Sequence, residues 1–163
     1  MQQPTISTSR RFIRDDIWAG GFLNRKIKSP YDFKRAECYR FGDKLAISFS
    51  HQERLVHGDM ATFSIAVEDG FFFTKGIIHK GLALFFENVK FNNIRLQALT
   101  PTGNKQALRL VDIAGFTREG ILRNYTPNGD VVISSMLKEE YGRKYGIIQL
   151  TKNASSAGSG GHN

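Results

Sequence analysis

From Cys38 onward, apolar and polar positions alternate in short runs. Cys38 to Phe41, the Gly42-Asp43 turn and the run from Leu45 to Phe49 read as a hairpin of two strands. Residues 60–68 set Ala61, Phe63, Ile65 and Val67 against Thr62, Ser64 and Ala66, which predicts a third strand antiparallel to the second. After Asp69-Gly70 the period lengthens. Residues 76–90 place Ile77, Ile78, Leu82, Phe85, Phe86 and Val89 on one helical face. Residues 94–99 read as a buried strand ended by Pro101 and Gly103. Residues 104–114 then form an amphipathic helix, with Gly115 where a left-handed residue ends it. Two closing strands flank Pro127-Asn128-Gly129-Asp130, a hairpin signal.

The opening stretch is less regular. Residues 9–29 carry Phe12, Ile13, Ile17, Trp18, Phe22 and Leu23 at near-helical spacing, broken at Gly20-Gly21. Ser29-Pro30 reads as the start of a short second helix. Antiparallel strands followed by β-α-β-α-β-β describe a mixed α/β (α+β) sheet of six or seven strands, with 94–99 parallel to 60–68.

Composition narrows the function classes. The chain has 163 residues, which predicts one domain over 1–152, the basic segment 1–37 included. A Gly/Ser-rich polar tail occupies 153–163. Thirteen Phe against one Trp predict a Phe-rich core. The net charge of +8 favours anionic partners, and residues 1–45 hold ten basic and five acidic side chains. Yet the basic residues come singly or in pairs, without the aromatic-basic or zinc-finger patterns of specific nucleic-acid readers. No apolar run approaches the ~20 residues of a membrane span. The first residues lack the apolar stretch of a signal peptide, so a cytoplasmic protein is expected. The single Cys38 excludes an internal disulfide and a Cys-based zinc site. His51 and His57 flank Arg54 in what reads as a polar loop, with no third ligand in register, so no metal is expected.

One ordered set of residues carries more. Asn104, Ala107 and Arg109 are followed by Gly115-Phe116, Glu119-Gly120 and Leu122-Arg123-Asn124, and Ser134 to Tyr141 closes the set. This phrase resembles the GCN5-related N-acetyltransferase (GNAT) superfamily, most of all the branch acetylating ribosomal-protein N-termini and similar amines, whose final strand the closing residues match. The likeness is close from Asn104 to Tyr141 and extends by element order over residues 38–141. It implies a centrally splayed mixed sheet flanked by helices, with acetyl-CoA inserted between strands 60–68 and 94–99. The coenzyme pyrophosphate would sit at the following helix start, on Lys75 and Gly76, with His79 and Lys80 nearby. Asn104 and Arg109 would be further coenzyme contacts, and Glu68 the base that deprotonates a primary amine. Each has a structural role beside the catalytic one: Glu68 ends a strand next to Asp69, Asn104 caps a helix, and Arg109 suits a solvated helix face.

The chain also departs from the family pattern. Phe73 and Ile78 stand where the phosphate loop has Arg or Gln and a small residue, and Val111 stands where many relatives have a Tyr acid. Two function classes follow. One is an acetyl-CoA-dependent N-acetyltransferase. The other is a catalytically degenerate protein of the same fold with a structural or assembly role, like the internal core proteins of short-tailed bacteriophage virions. In the second class, the N-terminal segment and the tail would contact protein partners or further copies of the chain.

Overall fold

In the computed structural model, residues 11–27 and 32–146 are described. The elements run β1 (Phe12–Arg14), α1 (Asp16–Lys26), a 3-10 turn (Phe33–Arg35), β2 (Glu37–Phe41), β3 (Leu45–Leu55) and β4 (Gly58–Val67). They continue with α2 (Lys75–Phe86), β5 (Asn93–Pro101), α3 (Lys105–Ala114), β6 (Thr117–Thr126), β7 (Gly129–Leu137) and α4 (Lys138–Tyr145). The strands form a seven-stranded sheet in the order β1-β2-β3-β4-β5-β7-β6. Every neighbouring pair is antiparallel except β4–β5, whose parallel pairing spans the α2 crossover. The sheet is therefore the mixed one expected.

The strand period sorts the core into two layers. Leu45, Ile47 and Phe49 lie opposite Val67, Ile65 and Phe63, and this face packs against Leu82, Phe85 and Phe86 of α2 and Val111 and Ala114 of α3. Phe49 lies 5.4 Å from Phe85 and 5.8 Å from Phe63, centroid to centroid, and Phe63 lies 6.4 Å from Phe116. Burying each such ring stabilises by about 1.5–3 kcal/mol, so the phenylalanines dominate this layer. Tyr141 of α4 closes it, fully buried, its hydroxyl donating to Glu87 Oε1 at 2.7 Å. Cys38, Ala46 and Ala66 face the other way, under Ala19, Phe22 and Leu23 of α1 and under Phe33.

Three local readings change. Residues 11–27 hold β1 and the whole of α1, which runs unbroken through Gly20-Gly21. Asp15 caps α1 by accepting from the Trp18 N–H at 3.0 Å. Gly20 is not a breaker but a contact. A Cβ there would lie 2.8 Å from Lys34 Cα, so only glycine lets the 3-10 turn close on the helix. The region 51–57 is no polar loop: β3 reaches Leu55 and β4 starts at Gly58, with a bulge between Ser50 and Glu53. Finally, the strand matched at Ser134 ends at Leu137. Glu140 then turns the chain into α4 by accepting from the Leu137 N–H at 2.8 Å.

The helix expected over 76–90 ends earlier, at Phe86, and Val89 lies beyond it, exposed. Other local signals hold. Asn104 caps α3, accepting from the Ala107 N–H at 3.0 Å, and Gly115 ends it at φ +99°. Thr126 pairs with Gly129 around Pro127-Asn128. Ser29, Pro30 and the tail 153–163 lie outside the described residues. Among the described residues, no helix is long and apolar enough to cross a membrane.

The Gly20 contact makes a direct prediction. Gly20→Ala should destabilise the protein by about 1–3 kcal/mol, because the backbone of the 3-10 turn must shift to admit a methyl group. Gly21→Ala should cost far less, since a Cβ there meets only the ends of Arg25 and Lys34 at 3.6 and 3.8 Å. Paired thermal melts of the two variants check the difference.

Candidate active site

The site starts from a pairing that stops early. β4 and β5 pair from Asp59↔Asn93 to Phe63↔Ala98, yet β4 continues to Val67 and β5 to Pro101. Beyond Phe63 the two parallel strands separate, while β5 stays paired with β7 as far as Pro101↔Val131. The Glu68 N–H donates to the Lys44 carbonyl at 2.8 Å, so the even-numbered residues of β4 spend their backbone groups on β3. By the alternation of an antiparallel ladder, Ile65 and Val67 turn their N–H and C=O groups into the gap. Unpaired backbone groups at such a position call for a partner.

The gap opens into a cleft of about 440 Å³. Its walls include Ile65, Val67 and Glu68 from the end of β4, Lys26 of α1, Phe73 and Asn104. Because α2 and α3 directly follow the parallel strands, both helices start at this edge of the sheet. Thr74 caps α2 by accepting from the Ile77 N–H at 3.2 Å. The amides of Lys75 and Gly76 have no acceptor within the helix. Neither helix has an acidic residue in its first turn, and each begins with a lysine, Lys75 or Lys105. A cation at the positive end of a helix dipole is disfavoured by roughly 0.3–1 kcal/mol. Two such starts put positive charge at this edge, whereas Lys26 is balanced by its ion pair with Glu68, and Asp69 also lines the cleft.

The sequence-derived residues divide by position. Glu68 and Asn104 line the cleft together. Lys75 and Gly76 form the first turn of α2, just beyond Phe73, which also lines the cleft. Arg109 is exposed on α3 and is not among the cleft residues. Glu68 Oε2 accepts from Lys26 Nζ at 2.8 Å. With side chains 44% and 37% exposed, this pair contributes at most about 1 kcal/mol to stability and mainly orients the carboxylate. In the sequence Lys26 stands only as half of the basic pair Arg25-Lys26. Its partner is 42 residues away, and no local pattern signals that contact.

The loop before α2 explains the missing glycines. Phe71 and Phe73 meet edge to face at 5.1 Å and pack against the main core. The loop is therefore anchored by apolar burial. A Cβ on Gly76 would meet only Thr74 Oγ1, at 3.8 Å, so the fold itself does not require glycine there. Val111 is buried, which puts an apolar wall where the resembling family has a phenol.

Glu119, part of the matched phrase, is a clamp. Its carboxylate accepts from both Arg95 nitrogens at 2.9 and 2.6 Å and from Ser135 Oγ at 2.6 Å, joining β6, β5 and β7. The Arg95 bonds first, and then the Ser135 bond, hold its carboxyl down to about 2. So fully engaged a carboxylate is a poor proton acceptor. Gln97 donates to Thr62 Oγ1 at 3.1 Å and extends the tie to β4, just before the gap.

With this geometry in place, the fold can be set beside known proteins. No family model matches the chain, and no curated protein sequence matches it. Solved structures do. Ribosomal-protein-S5-alanine acetyltransferase from Vibrio fischeri superposes with a TM-score of 0.60 at 13% identity, covering 80% of this chain and 93% of that one. A dodecameric structure of spermidine N-acetyltransferase from Vibrio cholerae gives 0.61 at 17% identity, covering 83% and 96%. RimJ from Mycobacterium smegmatis, in complex with CoA-disulfide, gives 0.52 at 18% identity, covering 66% and 55%. The chain has an acetyltransferase fold. More narrowly, it is the GNAT fold, with ribosomal-protein and polyamine acetyltransferases among its structural neighbours.

The clamp predicts a pH effect. Glu119 is held below the ordinary 4.5 of a glutamate, so its contribution is fully present above pH 4.5 and fades as pH falls toward about 2. Screening at this partly exposed pair keeps the effect near about 1 kcal/mol. Chemical denaturation across that window should show Glu119→Gln to be less stable at neutral pH and less sensitive to acid than the parent. Equal slopes would show that the clamp carries no net stability.

Proposed function

We propose that the chain is an acetyl-CoA-dependent N-acetyltransferase acting on a primary amine, working in the cytoplasm. The observation that supports this best is the gap itself. Two unpaired backbone units face an open cleft, between helix starts that carry lysines and no acids. The residues present fit the coenzyme. Ile65 and Val67 offer alternating donors and acceptors to an extended amide-bearing arm. Lys75 and the amides of Lys75 and Gly76 offer charge and hydrogen bonds to a pyrophosphate. Because Phe71 and Phe73 turn into the core, phosphate contacts come from the helix start and not from a glycine nest. Asn104 lies at the rim as a further contact, whereas Arg109 could meet only an outlying part of the molecule.

Bound acetyl-CoA supplies an activated acyl group. The amine nitrogen bonds to the acyl carbon as the carbon–sulfur bond breaks, and the nitrogen loses one proton. Glu68 takes that proton, directly or through water, with Lys26 fixing the direction of its carboxylate. No phenol stands at Val111 to protonate the sulfur. A thiol with an ordinary pKa of about 8.5 can leave as thiolate near neutral pH, so its later protonation by water suffices. The solved spermidine and ribosomal-protein alanine acetyltransferases are by name amine acetylators, which favours an amine acceptor here. The dodecameric neighbour makes self-association a reasonable property to measure. The comparisons lend no support to the virion-assembly reading, and the tail on which it drew lies outside the described residues.

Calorimetry with acetyl-CoA should give a binding signal that weakens with salt and falls in Lys75→Ala. Glu68→Gln should lose ~10²-fold or more in turnover with binding retained. The absence of any heat at millimolar coenzyme would overturn the reading. Unchanged turnover in Glu68→Gln would move the base elsewhere.

A further inference from the structure

A second, smaller and partly open space adjoins the cleft. It measures about 40 Å³ and sits between the sheet and helices α2 and α3. Its fourteen lining residues, from Phe12 and Ile47 through Phe63 and Leu82 to Val111 and Phe116, are all apolar or glycine. Ile65, Phe73 and Leu110 line both spaces, so the cavity continues the cleft past the point where β4 and β5 separate. Protein cores leave few voids larger than a water molecule, because lost contacts are costly. This one adjoins the place where a coenzyme arm would end, and Val111 forms part of its wall.

We infer that the cavity receives the acyl chain of an acyl-CoA longer than acetyl, up to a butyryl group. The inference rests on the coenzyme site proposed above and extends its acyl donor beyond acetyl-CoA. Three features point the same way. The walls offer no hydrogen bond, which suits methylene groups and disfavours water. The volume holds roughly three water-sized groups, enough for the two carbons that butyryl adds to acetyl and too little for a long chain. Valine at 111 withholds the bulk and the hydroxyl that a phenol would bring to the acyl end. The phenylalanines of the loop before α2 belong to the same design, since Phe73 forms the wall common to both spaces.

Titration calorimetry of the full chain with CoA, acetyl-CoA, butyryl-CoA and octanoyl-CoA tests this directly. Butyryl-CoA should bind roughly tenfold more tightly than acetyl-CoA, at about fourfold per buried methylene. Octanoyl-CoA should bind no better than butyryl-CoA. Gly81→Ala then fills part of the cavity. A Cβ there would meet Phe12 at 3.4 Å and Ile47 at 3.5 Å, ordinary contacts with two lining residues. Alanine also suits a helix interior better than glycine, so the melting temperature should not fall. In this variant the butyryl-to-acetyl affinity ratio should drop toward one, and Val111→Ile should act alike if Gly81→Ala folds poorly. Equal binding of acetyl- and butyryl-CoA by the parent would make the cavity a packing void and overturn the inference alone. Failure of all four ligands to bind would overturn the coenzyme reading, and this inference with it.

Discussion

The fold turns on one pair of strands that part. Among the described residues β4 and β5 are the only parallel neighbours, and they pair as far as Phe63↔Ala98 before separating. In an antiparallel pair the strands run in opposite directions, so the elements that follow them leave from opposite edges of the sheet. A parallel pair is joined by a crossover, here α2, so both strands end at the same edge and both following helices begin there. Separation at that edge exposes backbone groups and brings two positive helix ends beside them. The cleft, its charge and its free hydrogen-bonding groups are consequences of that one departure from regular pairing.

A gap in a sheet needs support on both faces, or the strands would close. On one face the support is hydrophobic. Phe49, Phe63, Phe85 and Phe116 form a continuous set of ring contacts that reaches to the point of separation. On the other face it is polar. Arg95, Glu119 and Ser135 bind β5, β6 and β7 into one unit, and the Gln97 bond to Thr62 fixes that unit to β4 at the last paired residues. The two supports differ in character. Burial of rings is indifferent to pH, whereas the clamp depends on an ionised carboxylate. Acid should therefore loosen the β5–β7–β6 half before it affects the core.

Much of this was legible in the chain. Alternation at 60–68, the helical period after Gly70 and the turn at Pro127-Asn128 are local signals, and local geometry obeyed them. The ordered phrase from Asn104 onward pointed to the fold because two of its residues perform local tasks, a cap and a left-handed stop. Failures came where a distant contact overrode the local signal. Gly20-Gly21 has the composition of a break, but the backbone of Lys34 determines what can stand at 20. The polar run 51–57 looked like a loop, yet pairing between β3 and β4 makes residues 51–55 strand and leaves only 56–57 as the turn. Of the site, Glu68 and Asn104 could be placed from their positions at element ends. Lys26 and the double role of Phe73 could not, because each depends on an approach between segments far apart in sequence.

The loop before α2 shows how one substitution class can serve two ends. Glycines there would let the backbone wrap a phosphate, and Phe71 and Phe73 forgo that by packing, half-buried, against the core. What remains for an anion is the helix start with Lys75, a contact that relies on charge more than on shape and so should be sensitive to salt. What is gained is an apolar wall reaching from the cleft to the inner cavity. On the proposed reading, phosphate recognition and acyl recognition are coupled through Phe73. A chain that weakened the first while keeping the fold would have to recover affinity at the other end of the same ligand, and the cavity beside Val111 is the place where apolar contact could supply it.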